Sequence, residues 1–350
     1  MSENNISISG AGSGTVYDAE LCRALFDAAD ELRRLRPWDK FCEVDVFEIY
    51  PRAESEPYYC SVAGMFEETF SMSVYKGHMG LVSLSAFINS ADLPVYISQS
   101  RRNCLTCAWG AKNDDDRQDL ALTKLAERKY RGNDEWPRFR VYETGYEPSH
   151  LNNMQIKELT NVINAVCDAL KETGESGLLE KLNEGERIRR YFDEEEERWI
   201  NDVMPPIEKI EAVTDGCVIT DELLVRRIRK KPLNGRYLEF DMPYIPVPLE
   251  KERSDRRVYP RLCILCDAER PAVENQYFIQ HGEDPRDVAL GILVNYMEEK
   301  GRPAGIYVRD AELFGIAGDL CAKTGVALSF SPMLKVLDFF VEDTINQFNQ

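Results

Sequence analysis

The chain has 350 residues, of which 43% are hydrophobic and 30% are charged, and its formal net charge is −18. This composition is typical of a globular protein, and the length favours two domains over a single core. The negative charge argues against general binding to nucleic acid or anionic membranes, because such binding depends on lysine and arginine.

The ends and the cysteines indicate the compartment. Residues 1–14 are polar and glycine-rich and lack the basic and apolar blocks of a signal peptide, so we predict a disordered tail. No run approaches the roughly 18 apolar residues of a membrane-spanning helix. The ten cysteines are spread through the chain, several inside apolar runs, which is typical of reduced, buried side chains. We expect a cytoplasmic protein without membrane contact.

Helical and strand periods alternate in the first half of the chain. Apolar residues at helical spacing predict a helix from about Asp18 to Leu35, which Pro37 ends. In the run 69–77, apolar and hydroxyl side chains alternate, which predicts a half-buried antiparallel strand. The other short runs predict strands at 43–50, 58–65, 94–98, 103–110 and 136–148 and helices at 81–89 and 119–130.

The second half begins with a helical pattern from residue 151 to about residue 199, interrupted by glycines. Within it, the acidic run 193–198 is predicted to be the solvated face of a helix. A small strand-helix-strand unit follows at 206–213, 221–230 and 235–242. Between residues 261 and 330 the pattern predicts strand, strand, helix, strand, helix, strand, with a final helix beyond.

These elements predict two domains of different class. Residues 15–172 form an α+β domain, residues 173–231 a helical, charged connector, and residues 232–350 an α/β domain. The strand and helix order of the α/β domain is three-layered and partly ribonuclease-H-like. Only two strands are predicted before its first long helix, whereas the ribonuclease H fold has three.

Several motifs resemble a known family. Segments 37–84 and 129–170 are similar to the N-terminal domain of a group of uncharacterised bacterial two-domain proteins, and residues 258–330 resemble the second domain of that group. The N-terminal motif is carried by Arg131, Gly132, Trp136, Pro137, Gly145, Tyr146 and Pro148. The resemblance implies this architecture and no activity, because both domains are of unknown function.

Two predicted strands of the second domain end on acids, Asp267 and Asp310. In the ribonuclease H fold, acids on the first and fourth strands and on a late helix hold two divalent ions for phosphodiester cleavage. A third acid could come from Asp338 or Glu342, which share one face of the final helix. Carboxylates suit Mg²⁺ or Mn²⁺ because these cations prefer oxygen ligands. A metal-dependent nuclease is therefore one hypothesis.

The simpler interpretation is that these acids form turns and caps. Asp310 immediately precedes a predicted helix, which is a natural N-cap position. We therefore favour a non-enzymatic binding or interaction module without a cofactor. The nuclease-like enzyme with Mg²⁺ or Mn²⁺ at Asp267 and Asp310 is the alternative.

Other chemistry-bearing patterns are weak. The pairs Cys104/Cys107 and Cys263/Cys266 have zinc-like spacing, but two residues three apart on a strand face opposite sides. Arg101 and Arg102 could lower the pKa of a thiol at Cys104. The three histidines form no metal motif, and there is no Walker loop or nucleophile elbow.

Residues 225–261 are basic within an acidic chain. Eleven lysines and arginines against five acids give +6 for the segment. We expect an internal electrostatic match with acidic regions such as 193–197, and a docking patch for an acidic protein or nucleic acid is the alternative.

Overall fold

A computed structural model describes residues 5–8, 15–51, 55–66, 69–89, 93–133, 135–178, 182–183, 185–208, 216–247 and 256–348. The first domain contains nine strands and five longer helices among these residues. In chain order they are β1 (Asn5–Ile8), β2 (Thr15–Asp18), α1 (Ala19–Leu35), β3 (Val46–Ile49), β4 (Tyr58–Ala63), β5 (Ser71–Lys76), α2 (Gly77–Ile88), α3 (Val95–Ser100), β6 (Cys104–Gly110), α4 (Arg117–Leu125), β7 (Trp136–Tyr142), α5 (Asn153–Glu175), β8 (Arg187–Asp193) and β9 (Arg198–Met204).

A seven-stranded sheet in the order β7-β6-β5-β4-β3-β8-β9 organises the first domain. All neighbours are antiparallel except β3 and β8, which are parallel. Helices α1 and α5 bury their apolar faces against one side of the sheet, and α2 covers part of the other side. Strand β5 is therefore buried on both faces, although its alternation predicted burial on one.

The predicted first helix is confirmed, and its ends have clear causes. Asp18 caps α1 by accepting hydrogen bonds from the backbone N–H groups of Glu20 and Leu21. Arg36 follows the helix in the left-handed conformation, and Pro37 begins the next turn. Strands at β3, β4, β6 and β7 and helices at α2 and α4 also lie where the sequence predicts them.

The second domain contains nine elements in its described residues. They are α6 (Glu222–Arg229), β10 (Tyr237–Asp241), β11 (Arg261–Asp267), β12 (Ala272–Ile279), α7 (Pro285–Lys300), β13 (Gly305–Val308), α8 (Ala311–Thr324), β14 (Ala327–Phe330) and α9 (Lys335–Phe348). The sheet order is β12-β11-β10-β13-β14, and β10, β13 and β14 run parallel.

This domain corrects the prediction that only two strands precede the first long helix. Strand β10 pairs antiparallel with β11, and β11 pairs antiparallel with β12, so a complete three-stranded meander comes before α7. Helices α6, α7 and α8 pack on one face of the sheet, and α9 packs on the other. The strand order of the ribonuclease H fold is therefore more complete than the sequence analysis expected, because β10 had been assigned to the strand-helix-strand unit that leads into the domain and was not counted in its sheet.

The first-domain sheet also extends beyond its predicted end. Strands β8 and β9 continue it into the stretch 173–231 that was predicted to be a helical connector. The acidic run 193–198 forms the end of β8, the hairpin turn and the start of β9 rather than a helix. The reason is charge pairing on the sheet. Arg187 and Arg189 of β8 reach the buried Glu48 of β3, so a strand rich in arginine is held inside the sheet.

Two smaller predictions are also corrected. The predicted disordered tail contains β1, which pairs antiparallel with β2, and the rest of 1–14 lies outside the described residues. The run 94–98 forms helix α3 rather than a strand. A short apolar run of this kind fits both structures, and Pro94 at its first position favours a helix start. The strand predicted at 206–213 falls mostly outside the described residues.

The two domains share an apolar interface. Tyr96 and Ile97 of α3 are buried with Leu262 and Ile264 of β11 and with Leu337 of α9 in one cluster. A second contact is made by the turn after β7, where Tyr259 N donates to Gly145 O at 2.8 Å and Glu147 N donates to Arg257 O at 3.2 Å.

Gly145 has a physical reason to be glycine. Its φ is +80°, and a Cβ built there would lie 2.8 Å from Cε1 of Tyr244 in the second domain. The Gly-Tyr-x-Pro turn is thus part of the domain interface. Among the residues described, no helix combines the length and the apolar character that crossing a membrane requires.

Candidate functional site

A buried cluster of charges lies where β10 and β13 end. Asp241 is the last residue of β10, and Arg309 directly follows β13. Arg309 Nε lies 2.6 Å from Asp241 Oδ2, and the side chains are 1% and 0% exposed. Arg309 Nη2 also donates to Asp338 Oδ1 on α9. One guanidinium therefore joins two carboxylates from different elements.

The first domain completes this cluster. Arg101, which ends α3, places Nη2 2.8 Å from Asp310 Oδ2 and 3.9 Å from Asp241 Oδ1. The hydroxyl of Tyr96 donates to Asp338 Oδ1 at 2.7 Å. We call Asp241, Asp310, Asp338, Arg101 and Arg309 the interdomain charge cluster. Three carboxylates and two guanidiniums leave the cluster with a formal charge of −1, and its ion pairs cross the domain boundary.

Burial and pairing shift the titration of these groups. Burial raises the pKa of Asp241, against the opposing effect of Arg309 and Arg101. Burial acts to lower the pKa of Arg309, but Asp241, Tyr96 and Asp338 outweigh it and raise that pKa above its ordinary value. Arg309 is therefore charged at every physiological pH, and the surrounding carboxylates compensate for the burial of its positive charge.

A fourth acid lies next to the cluster. Glu239 of β10 is 6% exposed and accepts a hydrogen bond from the backbone N–H of Leu337 at 2.8 Å, near the start of α9. The N-terminus of a helix favours a negative charge. Burial raises the pKa of Glu239, and the donors from α9 oppose that rise. Glu239 and Asp241 thus both point to the α9 side of the sheet, as strand alternation requires.

The structure does not bring Asp267 and Asp310 together. Asp241 pairs with Ile264, which is three residues or about 10 Å along β11 from Asp267. Asp267 belongs to the β11–β12 hairpin, where its Oδ1 accepts from the backbone N–H groups of Glu269 and Arg270 at 3.0 and 3.1 Å. These two acids therefore cannot share one metal ion.

Asp310 has the role of a helix cap. Its Oδ1 accepts from the backbone N–H of Leu313 at 2.8 Å, at the start of α8. The N-cap interpretation of Asp310 is therefore confirmed. Of the two acids proposed on the last helix, Asp338 joins the interdomain charge cluster, whereas Glu342 is exposed and forms no ion pair within the described residues.

The basic segment is matched by acids, but not by the region that was expected. Six arginines among its described residues form ion pairs with glutamates: Arg226 with Glu222, Arg227 with Glu298, Arg236 with Glu274, Arg256 with Glu143, Arg257 with Glu147, and Arg261 with Glu312. None of these partners lies in 193–197. Two of the pairs, at Arg256 and Arg257, cross the domain boundary, while Lys251 and Arg253 fall outside the described residues.

The cysteine pairs lie in different sheets and face different cores. Cys107 is in the core under α1 and α5, while Cys104 faces α2. Cys263 and Cys266 likewise face opposite sides of the second sheet. Burial raises the pKa of Cys104 even though Arg102 opposes it, which argues against an activated thiol and agrees with a role in core packing.

A group with metal-like ligand spacing occurs elsewhere. Asp116, Asp119 and His150 place one ligand atom each within 4.8 Å of one another. However, Arg140 already pairs with Asp119 at 2.6 Å and lies 3.4 Å from His150 Nδ1. An arginine has no acceptor, so it donates to Nδ1 and leaves Nε2 to donate to Asp116 at 2.7 Å. The group is therefore satisfied as a hydrogen-bonded ion cluster.

The first domain also has a groove with a volume of about 620 Å³. It runs between the exposed face of α5 and the ends of the strands β3, β4, β8 and β9. Ligand pockets commonly have volumes in this range. Its lining combines polar and charged side chains with apolar ones, of which Met154 is 78% and Trp199 38% exposed. The sequence analysis missed this groove, because it took the segment after α5 to be helical.

The sequence analysis also missed Asp241 and Arg309. Asp241 ends a run with strand character, Tyr237–Asp241, and this signal was present. The signal was not used, because the run was assigned to the strand-helix-strand unit that leads into the domain and not to the domain's sheet. Arg309 directly precedes Asp310, and its burial has no sequence signal of its own.

Comparison with known families covers both domains. Residues 23–190 match a domain of unknown function, DUF7309, and residues 224–344 match a second domain of unknown function, DUF6930. No curated protein and no solved structure matches the chain. The first match ends within β8, which agrees with the place of that strand in the first sheet. The chain therefore belongs to a family of uncharacterised two-domain proteins in which a DUF7309 domain is followed by a DUF6930 domain.

Proposed function

We propose that this protein is a non-enzymatic binding protein whose second domain is held to the first by the interdomain charge cluster. The observation that carries the proposal is the position of two guanidiniums among three carboxylates. Arg309 lies between Asp241 and Asp338, and Arg101 lies between Asp241 and Asp310. One oxygen of each carboxylate already has a cationic partner, and the other oxygen accepts a hydrogen bond from a backbone N–H group.

Electrostatics supports this assignment. A divalent ion would have to approach two arginines, of which Arg309 is 1% exposed. Displacing Arg309 would leave its charge buried without a partner, which is strongly unfavourable. The same pairs hold the domains together, because Arg101 follows α3 of the first domain and Asp310 caps α8 of the second. This arrangement favours a rigid two-domain scaffold over a catalytic centre.

Divalent-metal chemistry of the nuclease type is the second candidate. The observation that favours it is positional. The ribonuclease H fold carries its acids on the first strand, after the fourth strand and on the last helix. In this domain, the corresponding positions hold Asp241, Asp310 and Asp338. This set differs from Asp267 and Asp310. Fold position alone does not establish a reaction, and the arginines argue against this one.

One experiment separates the two candidates. Mn²⁺ and Mg²⁺ are titrated calorimetrically into the full-length protein, and fluorescently labelled single-stranded and duplex DNA and RNA are incubated with the protein and each metal. We expect no saturable metal binding and no cleavage above the level of a buffer control.

Two substitutions provide the controls for this experiment. Asp241→Asn removes a carboxylate of the cluster, and Asp267→Asn changes an acid of the distant hairpin. The proposal would be overturned if the protein showed metal-dependent cleavage that the Asp241→Asn variant lacks and the Asp267→Asn variant retains. Both variants must keep a native circular dichroism spectrum for this result to count. Such cleavage would establish the second candidate instead.

A further inference from the structure

We infer that the groove beside α5 binds an extended peptide segment that carries an apolar residue between an acidic end and a basic end. This inference rests on the proposed binding function and names its site and partner. The interdomain charge cluster plays no part in it, so the two can fail separately.

One wall of the groove is a stripe of side chains along α5. Lys157, Asn161, Asn164 and Asp168 are spaced by four, three and four residues, so they lie on one face of the helix. All four are exposed, and within the described residues none of them forms a side-chain hydrogen bond or ion pair. Uncommitted amides at Asn161 and Asn164 can donate to and accept from a peptide backbone, which offers both groups at regular intervals.

The opposite wall is apolar and rigid. The exposed apolar surface comes from Trp199 of β9, which is 38% exposed, while Tyr58 of β4 and Ile49 of β3 lie beneath it, 9% and 1% exposed. Trp199 stacks on the guanidinium of Arg190, 5.0 Å from the ring centroid, and Arg190 is held by Glu172 at 2.6 and 3.0 Å. The Tyr58 hydroxyl donates to Glu158 at 2.6 Å. These bonds fix an apolar surface on which a side chain of the partner can pack.

The ends of the groove carry opposite charges. At one end, Lys76 is paired with Glu158 at 2.6 Å, which leaves Lys157 as the unpaired cation. At the other end, Arg190 is paired with Glu172, which leaves Asp168 without an ion-pair partner in the described residues. A partner segment with an acid near Lys157 and a base near Asp168 would complement both ends.

The distance between these charges sets the length of the segment. Lys157 and Asp168 are eleven residues apart on α5, which corresponds to about 16 Å at a rise of about 1.5 Å per residue. An extended chain covers this distance in about five residues. The groove therefore fits a strand-like segment better than a helix, whose charges would need about three turns to span the same distance.

The test uses synthetic peptides of about six residues, acetylated and amidated so that only their side chains are charged. One series has lysine first and glutamate last, and a second series has the reverse order. Both carry leucine in the middle, and a control series has glutamine at both ends. Binding of fluorescent peptides to the full-length protein is measured by anisotropy at protein concentrations up to about 1 mM. We expect one charged series to bind and to bind more tightly than the glutamine series.

Three variants locate the binding site. Asn161→Trp fills the middle of the groove, and Glu175→Trp adds the same bulk to the exposed end of α5 outside it. We expect Asn161→Trp to abolish binding and Glu175→Trp to leave it unchanged. Lys157→Glu should weaken binding of the charged peptide by at least about fivefold, while binding of the glutamine peptide changes little.

The outcomes are decisive for the inference. Failure of both charged series to bind overturns it, as does binding that Asn161→Trp leaves intact in a protein of native circular dichroism. Neither result affects the proposed non-enzymatic function, which depends on the metal and cleavage measurements. Conversely, metal-dependent cleavage would overturn that proposed function whatever the groove binds.

Discussion

Arg309 and Asp241 form an ion pair at 2.6 Å in which both side chains are almost completely buried. Asp241 ends β10 and Arg309 follows β13, so the pair joins two adjacent parallel strands at the edge that meets the first domain. A buried pair of this kind is a weak source of net stability, because desolvation of both ions offsets their attraction. Removing only one partner is strongly destabilising, because the remaining charge stays buried without a counter-charge.

Arg309→Met should therefore destabilise the protein by about 3–5 kcal/mol, because Asp241 and Asp338 lose their shared cation. The free energy of unfolding in urea measures this loss. The exposed pair Arg226–Glu222 supplies the control, and Arg226→Met should change stability by less than about 0.5 kcal/mol.

A double variant tests the cause of that loss. If the penalty comes from the unpaired Asp241 carboxylate, combining Arg309→Met with Asp241→Leu should recover most of it, since no buried charge of that pair is then left. Additive losses from the two substitutions would contradict this explanation.

Asp310 has two contacts that substitution can separate, the cap on Leu313 and the ion pair with Arg101. Asp310→Ser keeps a capping oxygen and removes the charge, so it should cost about 1 kcal/mol or less. Asp310→Ala removes both contacts and should cost about 1 kcal/mol more than Asp310→Ser. Urea unfolding of the two variants measures the difference, and equal losses would show that the cap contributes nothing.

Gly145→Ala should weaken the contact between the domains. The residue has φ +80°, which costs alanine about 1 kcal/mol, and its new Cβ would lie 2.8 Å from Tyr244. Gly235→Ala is the matched control, because φ there is +73° and nothing lies within 4 Å. We expect Gly145→Ala to exceed the control by about 1–3 kcal/mol and to increase proteolysis between the domains. Equal losses at the two glycines would refute a steric contact with Tyr244.

The fold was largely predictable from local patterns, whereas the charge cluster was not. Helix α1 has a regular apolar stripe, and Asp18 is an ordinary cap, so its bounds followed from the sequence. The order of elements from β11 to β14 was predicted for the same reason. Strand β8 was missed because residues 151–199 were predicted to be helical, and its buried Arg190 and partly buried Arg187 and Arg189 do not show the apolar alternation of a strand. Only the position of Glu48 and Glu172 explains their burial.

The candidate sites depended on contacts between distant residues. Asp310 was found because it follows an apolar run, and its cap was predicted from its place before a helix. Asp241 meets Arg101 across 140 residues of sequence, and no spacing rule connects the two. The groove beside α5 required β9 to be a strand, because Trp199 lies on it. Local patterns give elements, while tertiary pairing decides which polar side chains meet.

Asp115 provides a prediction for pH dependence. Its two carboxylate oxygens are buried and have no hydrogen-bond partner within the described residues. Burial, together with Asp119 and Asp114, raises its pKa to about 6, against the opposing effect of Arg138 and Arg140. The folded state thus binds this proton more tightly than the unfolded state does. The resulting stabilisation is present below about pH 4 and is lost as the pH rises through about 6.

At pH 7, Asp115→Asn should therefore stabilise the protein by on the order of 1 kcal/mol, after allowance for solvent screening. Its advantage over the natural chain should shrink as the pH falls from 6 to about 4 in urea unfolding experiments. An advantage that is constant over this range would show that Asp115 is not the titrating group.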